Sequence, residues 1–223
     1  LCGGASALRA QTIPSPIRYI ETRQWAGAFA GYLFSNPSVG INETDIELGP
    51  RSAPLVGLQY GFRFAGPLAG EARVGFGPTE RKVYAPGTAT GSDPAVPQEV
   101  GTADVALLMG EAGLVFSLTG QRTWHGIAPF LVGTGGLVAD LNRGSDADEE
   151  VTAAARYDFG PAFAVGFGIG TDWFPTERLS VRLEGRDRLW KIEVPPGLRP
   201  SSVRSASEWT HNFSISLGAA LHF

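Results

Sequence analysis

The chain has 223 residues, 43% of them hydrophobic, a formal net charge of −4 and a single cysteine. It contains no run of about 18 apolar residues, which excludes a helical membrane protein, and no Lys/Arg cluster with interleaved aromatics, which removes nucleic acid as a partner. The 30 glycines approach twice the usual share of about 7% and fall inside apolar segments as well as in turns.

Residues 1–10, LCGGASALRA, read as the tail of a secretory signal peptide, because Ala5-Ser6-Ala7 fits the A-x-A cleavage pattern and Ala10-Gln11 offers a second site. Residues 11–23 form a Pro-containing N-terminal lead. The first strand is expected over 24–35; Trp25 and Phe29 have one parity, Tyr32 and Phe34 the other, and its facing stays open. A polar loop at 36–53 precedes a strand over 54–65, with Val56, Leu58, Tyr60, Phe62 and Phe64 opposite Gly57, Gln59, Gly61 and Arg63. Gly66-Pro67 then makes a tight hairpin with 68–77, where Ala72, Val74 and Phe76 oppose Glu71, Arg73 and Gly75. Residues 78–102 read as a second long loop, with a ladder extension open around Arg81 to Tyr84.

The fourth strand, 103–118, sets Leu108, Ala112, Leu114 and Phe116 against Met109, Glu111, Gly113 and Val115. Gly120-Gln121 turns into a fifth, 124–139, which is apolar on both faces and of open parity. An acidic loop follows with Asp146, Asp148, Glu149 and Glu150; a solvated loop explains these better than a cation site, since the glycine and spacing of a calcium loop are missing. The sixth strand, 155–174, places Phe159, Phe163, Phe167, Ile169 and Trp173 opposite Gly160, Ala164, Gly166, Gly168, Gly170 and Asp172. Pro175-Thr176-Glu177 leads to a seventh, 178–190, and a loop over 191–207 leads to the last, Glu208 to Phe223. There the odd positions run from Trp209 to Phe223 as one mainly apolar face, and the even positions are small or polar. At about 3.3 Å per residue and a tilt of about 45°, Trp209 and Phe223 stand roughly 33 Å apart along the membrane normal.

A period of two that ends on an aromatic, EWTHNFSISLGAALHF, together with RLSVRLEGRDRLW at 178–190, resembles the OmpA-type superfamily of small outer-membrane β-barrels over residues 24–223. That resemblance implies an all-β protein, an eight-stranded antiparallel up-and-down transmembrane β-barrel in a bacterial outer membrane. Its surroundings would be outer-membrane lipid and lipopolysaccharide, and the barrel-assembly machinery would engage the C-terminal strand. The strand count agrees, and the connections alternate long and short, which puts both termini on the periplasmic side.

The competing architecture is a soluble lipocalin-like barrel with apolar residues inside. Strand six opposes it: inverted, it would give glycine and alanine to water and crowd its aromatics into a narrow bore. With the small face inward, the lumen collects Arg63, Glu71, Arg73, Glu111, Asp172, Arg182, Glu184 and Arg186, four charges of each sign that can plug the bore as Arg-carboxylate pairs. Trp25, Trp124, Trp173, Trp190, Trp209 and Phe223 fall at strand ends and are expected in two aromatic belts.

Gly166-Phe167-Gly168-Ile169-Gly170 and Gly133-Thr134-Gly135-Gly136 have the glycine density of nucleotide-binding loops but lie mid-strand with no helix following. His211 has Phe213 rather than a serine two residues on along its face, and His125 and His222 fall at the periplasmic end, away from the outer leaflet, so neither catalytic residues, metal nor cofactor is expected. The expected role is structural or surface-interacting through the long outer loops, whose partners the sequence does not name. An outer-membrane lipid-modifying enzyme is the alternative.

Overall fold

The computed structural model describes residues 15–41, 44–87, 96–142, 144–199 and 207–223. The expected signal-peptide tail lies outside them. The strands are β1 (Ile17–Tyr19), β2 (Gln24–Ser35), β3 (Ser38–Ile41), β4 (Thr44–Glu47), β5 (Ala53–Ala65), β6 (Leu68–Ala85), β7 (Gln98–Ser117), β8 (Arg122–Trp124), β9 (Ile127–Asp140), β10 (Ala162–Trp173), β11 (Leu179–Glu193) and β12 (Ser207–His222). One helical turn, α1 (Asp146–Glu149), interrupts the β9–β10 connection.

β2, β5, β6, β7, β9, β10, β11 and β12 form a closed ring in which each strand is antiparallel to the next. Closure comes from β12 pairing with β2, and reciprocal bonds tie the seam at one end: Gln24 N–H donates to Phe223 O at 3.0 Å and Phe223 N–H to Gln24 O at 2.9 Å. This is an eight-stranded antiparallel transmembrane β-barrel. Its exterior is apolar, as period-two alternation requires: Val56, Leu58, Leu114, Leu131, Phe167, Ile169, Leu183 and Leu217 are all exposed on it. A soluble barrel would turn these residues inward.

Several boundaries differ from those expected. The β6–β7 ladder continues past the predicted 77/103 limits to Ala85↔Gln98, with an irregularity between Val83 and Tyr84, so much of the second long loop is a protruding hairpin. Trp124 belongs to β8 rather than to the fifth barrel strand, because His125 (φ 52) and Gly126 (φ 80) form a tight turn before Ile127. The sixth strand begins at Ala162, not 155; Pro161, which has no N–H to donate, stands just before it. Phe159 is consequently buried against Trp190, ring centroids 6.2 Å apart, instead of facing lipid.

Open facings are resolved. In β2 Trp25, Phe29 and Leu33 point inward and Tyr32 and Phe34 outward, while in β9 Ala128, Phe130, Val132, Thr134 and Val138 point inward. The described part of the N-terminal lead, residues 15–23, crosses the short-turn mouth: β1 pairs with β8, Ile20 N–H donates to Gln121 O at 2.8 Å, and Ile20 packs on Ala128 and Phe174.

Candidate functional site: the bore

Along β11 the inward positions read Ser180, Arg182, Glu184, Arg186, Arg188, Trp190 and Ile192, and that order is the layering of the whole interior. Four guanidiniums and four carboxylates form the middle layer. Arg73 Nη1 donates to Glu184 Oε1 at 2.5 Å, and Arg186 Nε lies 2.8 Å from the same oxygen. Arg182 makes a bidentate pair with Asp172 (Nε to Oδ1 2.8 Å, Nη2 to Oδ2 3.0 Å) and a further bond from Nη1 to Glu71. Arg186 bridges Glu71 (3.1 Å) and Glu111 (3.3 Å), and Arg188 reaches Glu111 at 2.9 Å and Ser214 Oγ at 2.6 Å. Thr134 Oγ1 donates to Glu111 Oε1 at 3.1 Å. Charged groups this deeply buried are tolerable only when each has such partners.

Seven of the eight residues expected in the lumen network thus lie together. Arg63 does not join them: it sits at the short-turn mouth, where Nη1 donates to Ile20 O at 3.4 Å. Arg188 takes its place as the fourth cation. Its parity, shared with Arg182 and Arg186, was the available signal.

Aromatic side chains wall this layer, where the expectation was an inward face of small residues and paired charges. Trp25 and Trp190 are 4% and 0% exposed and point into the bore, so they are not in the aromatic belts; Trp124, Trp173, Trp209 and Phe223 are outward and exposed. Trp25 fits because Gly61 is its cross-strand partner: a Cβ there would come within 1.9 Å of the indole. Phe29 lies likewise between Gly57 and Gly218. The Arg73 guanidinium stacks 3.9 Å above Phe29, and that of Arg182 lies 4.4 Å from the Phe130 centroid.

Toward the long-loop end the bore is filled by apolar groups. Val39 and Ile46 from the β3–β4 hairpin, with Leu48, Tyr157, Phe159, Val194 and Leu198, fold over Leu33, Leu55, Leu107, Met109, Val138, Trp190 and Ile192. Burial in this cover pushes the Tyr157 phenol well above its usual range. Outside it, Asp148 is not solvated as expected. It caps α1 from within, accepting from Ser145 N–H and Oγ, and is buried in an ion pair with Arg81 (Nη2 to Oδ2, 2.7 Å). Asp146, Glu149 and Glu150 are exposed, and no metal-binding group of carboxylates, His or Cys forms among the described residues.

At the short-turn end, Ser180 Oγ and His222 Nε2 are 2.8 Å apart, a pairing the sequence pattern missed because the residues are 42 positions apart. The adjoining cavity holds about 30 Å³ and is lined by Trp25, Arg63, Asp172, Phe174, Arg182 and His222 but not by Ser180. That volume accommodates about a water or two and no acyl substrate.

No family model and no curated relative matches the chain. Among solved structures, the outer membrane protein OprG from Pseudomonas aeruginosa is similar, with a TM-score of 0.55 at 13% identity over 91% of this chain and 96% of that one. The outer membrane protein AlkL, determined in DMPC lipid bilayers, has a TM-score of 0.55 at 16% identity over 100% of this chain and 97% of that one. At such identities the likeness carries the fold alone, and the chain has the fold of the small outer-membrane β-barrels.

Proposed function

We propose that the protein resides in a bacterial outer membrane with its chain termini periplasmic, that its lumen is closed, and that its task is structural or surface-interacting, performed by the long-loop end. The observation that carries this reading is the filled bore: a charge-paired layer and an apolar layer lie in series, and the cavity beside the charges holds about 30 Å³. A barrel built to conduct would fill its interior with water rather than with buried Arg–carboxylate pairs and Trp190. Short turns at one end and long connections at the other favour the stated orientation.

Purified protein in planar bilayers should give no stable ion current, and a cysteine placed at exposed Asp146 should be labelled by an impermeant thiol reagent on intact cells. Stable open currents would overturn the closed lumen; labelling only after the outer membrane is permeabilised would overturn the orientation.

A further inference from the structure

The lipid-facing wall is apolar along most of its height, yet one patch on β11 and β12 is charged. His211 Nδ1 lies 2.7 Å from Asp187 Oδ2, both outward, with His211 70% exposed. His211 pairs with Leu189 and Asp187 with Phe213, so the two are diagonal neighbours, and the next outward pair toward the long-loop end is Lys191↔Trp209. Depth follows from register. Asp187 is 187 − 179 = 8 residues above Leu179, roughly 20 Å along the axis at a tilt of about 40°; His211 is 221 − 211 = 10 residues above Leu221, roughly 25 Å. The apolar band of such barrels is about 25 Å tall, so the patch sits where acyl chains meet headgroups.

A crevice opens beside it. The β10–β11 ladder stops at Ala164↔Trp190, although Ala162 and Phe163 still pair with β9, whereas β11–β12 continues to Glu193↔Ser207. The gap left against Lys191 measures about 390 Å³, with Gly160, Pro161, Phe163 and Trp209 among its walls. Two carboxylates, Asp158 and Glu193, border its rim side.

The donors converge on one chemistry. Nδ1 of His211 faces Asp187 Oδ2, and Nε2 makes no hydrogen bond among the described residues; an imidazole held in this way donates from Nε2 in its imidazolium form and accepts there in its neutral form. Lys191 has no ion-pair partner among the described residues, in contrast to Lys82 across the barrel, which is held by Glu47 (3.2 Å) and Glu99 (3.0 Å). Two basic side chains with bonding capacity left flank an exposed indole at headgroup depth, and the carboxylates further along the crevice disfavour an anion on their side. We infer that Asp187, His211 and Lys191 form a site for a phosphate of the outer-leaflet glycolipid, the phosphate lying between His211 Nε2 and Lys191 Nζ and the sugar or first acyl carbons against Trp209 and Phe163. This rests on the long-loop end facing the outer leaflet.

Native mass spectrometry of the detergent-solubilised barrel with added lipid A tests it, each variant first shown to be folded by heat-modifiable gel migration. Wild type should retain one lipid A more tightly than dephosphorylated lipid A or phosphatidylglycerol. The double variant His211→Gln, Lys191→Gln should weaken retention about tenfold, and Lys82→Gln should leave it unchanged. Equal retention by the double variant, indifference to the lipid's phosphates, or equal binding of phosphatidylglycerol would overturn the site. Because binding is read in detergent, its failure is separable from a wrong orientation, which cell-surface labelling reports.

Discussion

Arg73 and Glu184 bond across the full width of the bore: β6 and β11 stand opposite each other in the ring, with three strands between them on either side, and Nη1 meets Oε1 at 2.5 Å. Arg182 and Arg186 on β11 reach Glu71 on β6 in the same way. These bonds are therefore cross-braces that span the bore, not neighbour contacts.

Glu184→Ala removes the acceptor shared by Arg73 and Arg186 and leaves two buried cations short of a counter-charge. Losing one partner of a buried pair costs about 3 to 5 kcal/mol. Urea unfolding in lipid vesicles should show that loss, while the double replacement Arg73→Met, Glu184→Leu should cost less than the single change. A Glu184→Ala protein with wild-type stability would show that the braces carry no load.

Gly61→Ala places a methyl inside the van der Waals envelope of Trp25, whose ring atom Cζ2 is 1.9 Å from the new Cβ. Overpacking of this kind costs about 1 to 3 kcal/mol. Trp25→Ala in the same chain should recover part of it. If Gly61→Ala unfolds at the wild-type urea concentration, Trp25 does not lie across β5.

Two closures in series make a non-additive prediction for ion leakage. Trp190→Ala alone opens the apolar layer onto a paired charge layer, and Glu111→Ala alone loosens the charges beneath an intact apolar cover. Neither should conduct in planar bilayers, and the combination should. Current through Trp190→Ala alone would show that the charge layer is no barrier.

Arg81→Ala strips the buried partner from Asp148 and should release α1 from the β6–β7 hairpin. Limited proteolysis should then cut within 141–161 at least tenfold faster, with the barrel's unfolding midpoint unchanged. An unchanged cutting rate would mean that the loop is held by its apolar contacts instead.

The wall of the barrel was legible because a period of two leaves only one decision, which face meets lipid, and the run Phe163, Phe167, Ile169 against Gly166, Gly168, Gly170 makes that decision. The interior was harder. Trp190 shares its parity with Arg182, Glu184, Arg186 and Arg188, so its inward direction was already written in β11; position at a strand end suggested a belt, and alternation overrode it. Trp25 needed a partner to be read: its indole has room because Gly61 stands opposite it, and register between strands is not visible along a single chain. The loop-derived cover and the Asp187–His211 pair share that obstacle, since both depend on residues that only the closed ring brings together.

The buried charges also balance. Arg73, Arg182, Arg186 and Arg188 face Glu71, Glu111, Glu184 and Asp172, so the fixed charge of the layer sums to zero. A membrane potential does work only on net displaced charge, about 2.3 kcal/mol per elementary charge per 100 mV. Shifting this layer as a unit would move none, so the paired layer offers voltage no handle.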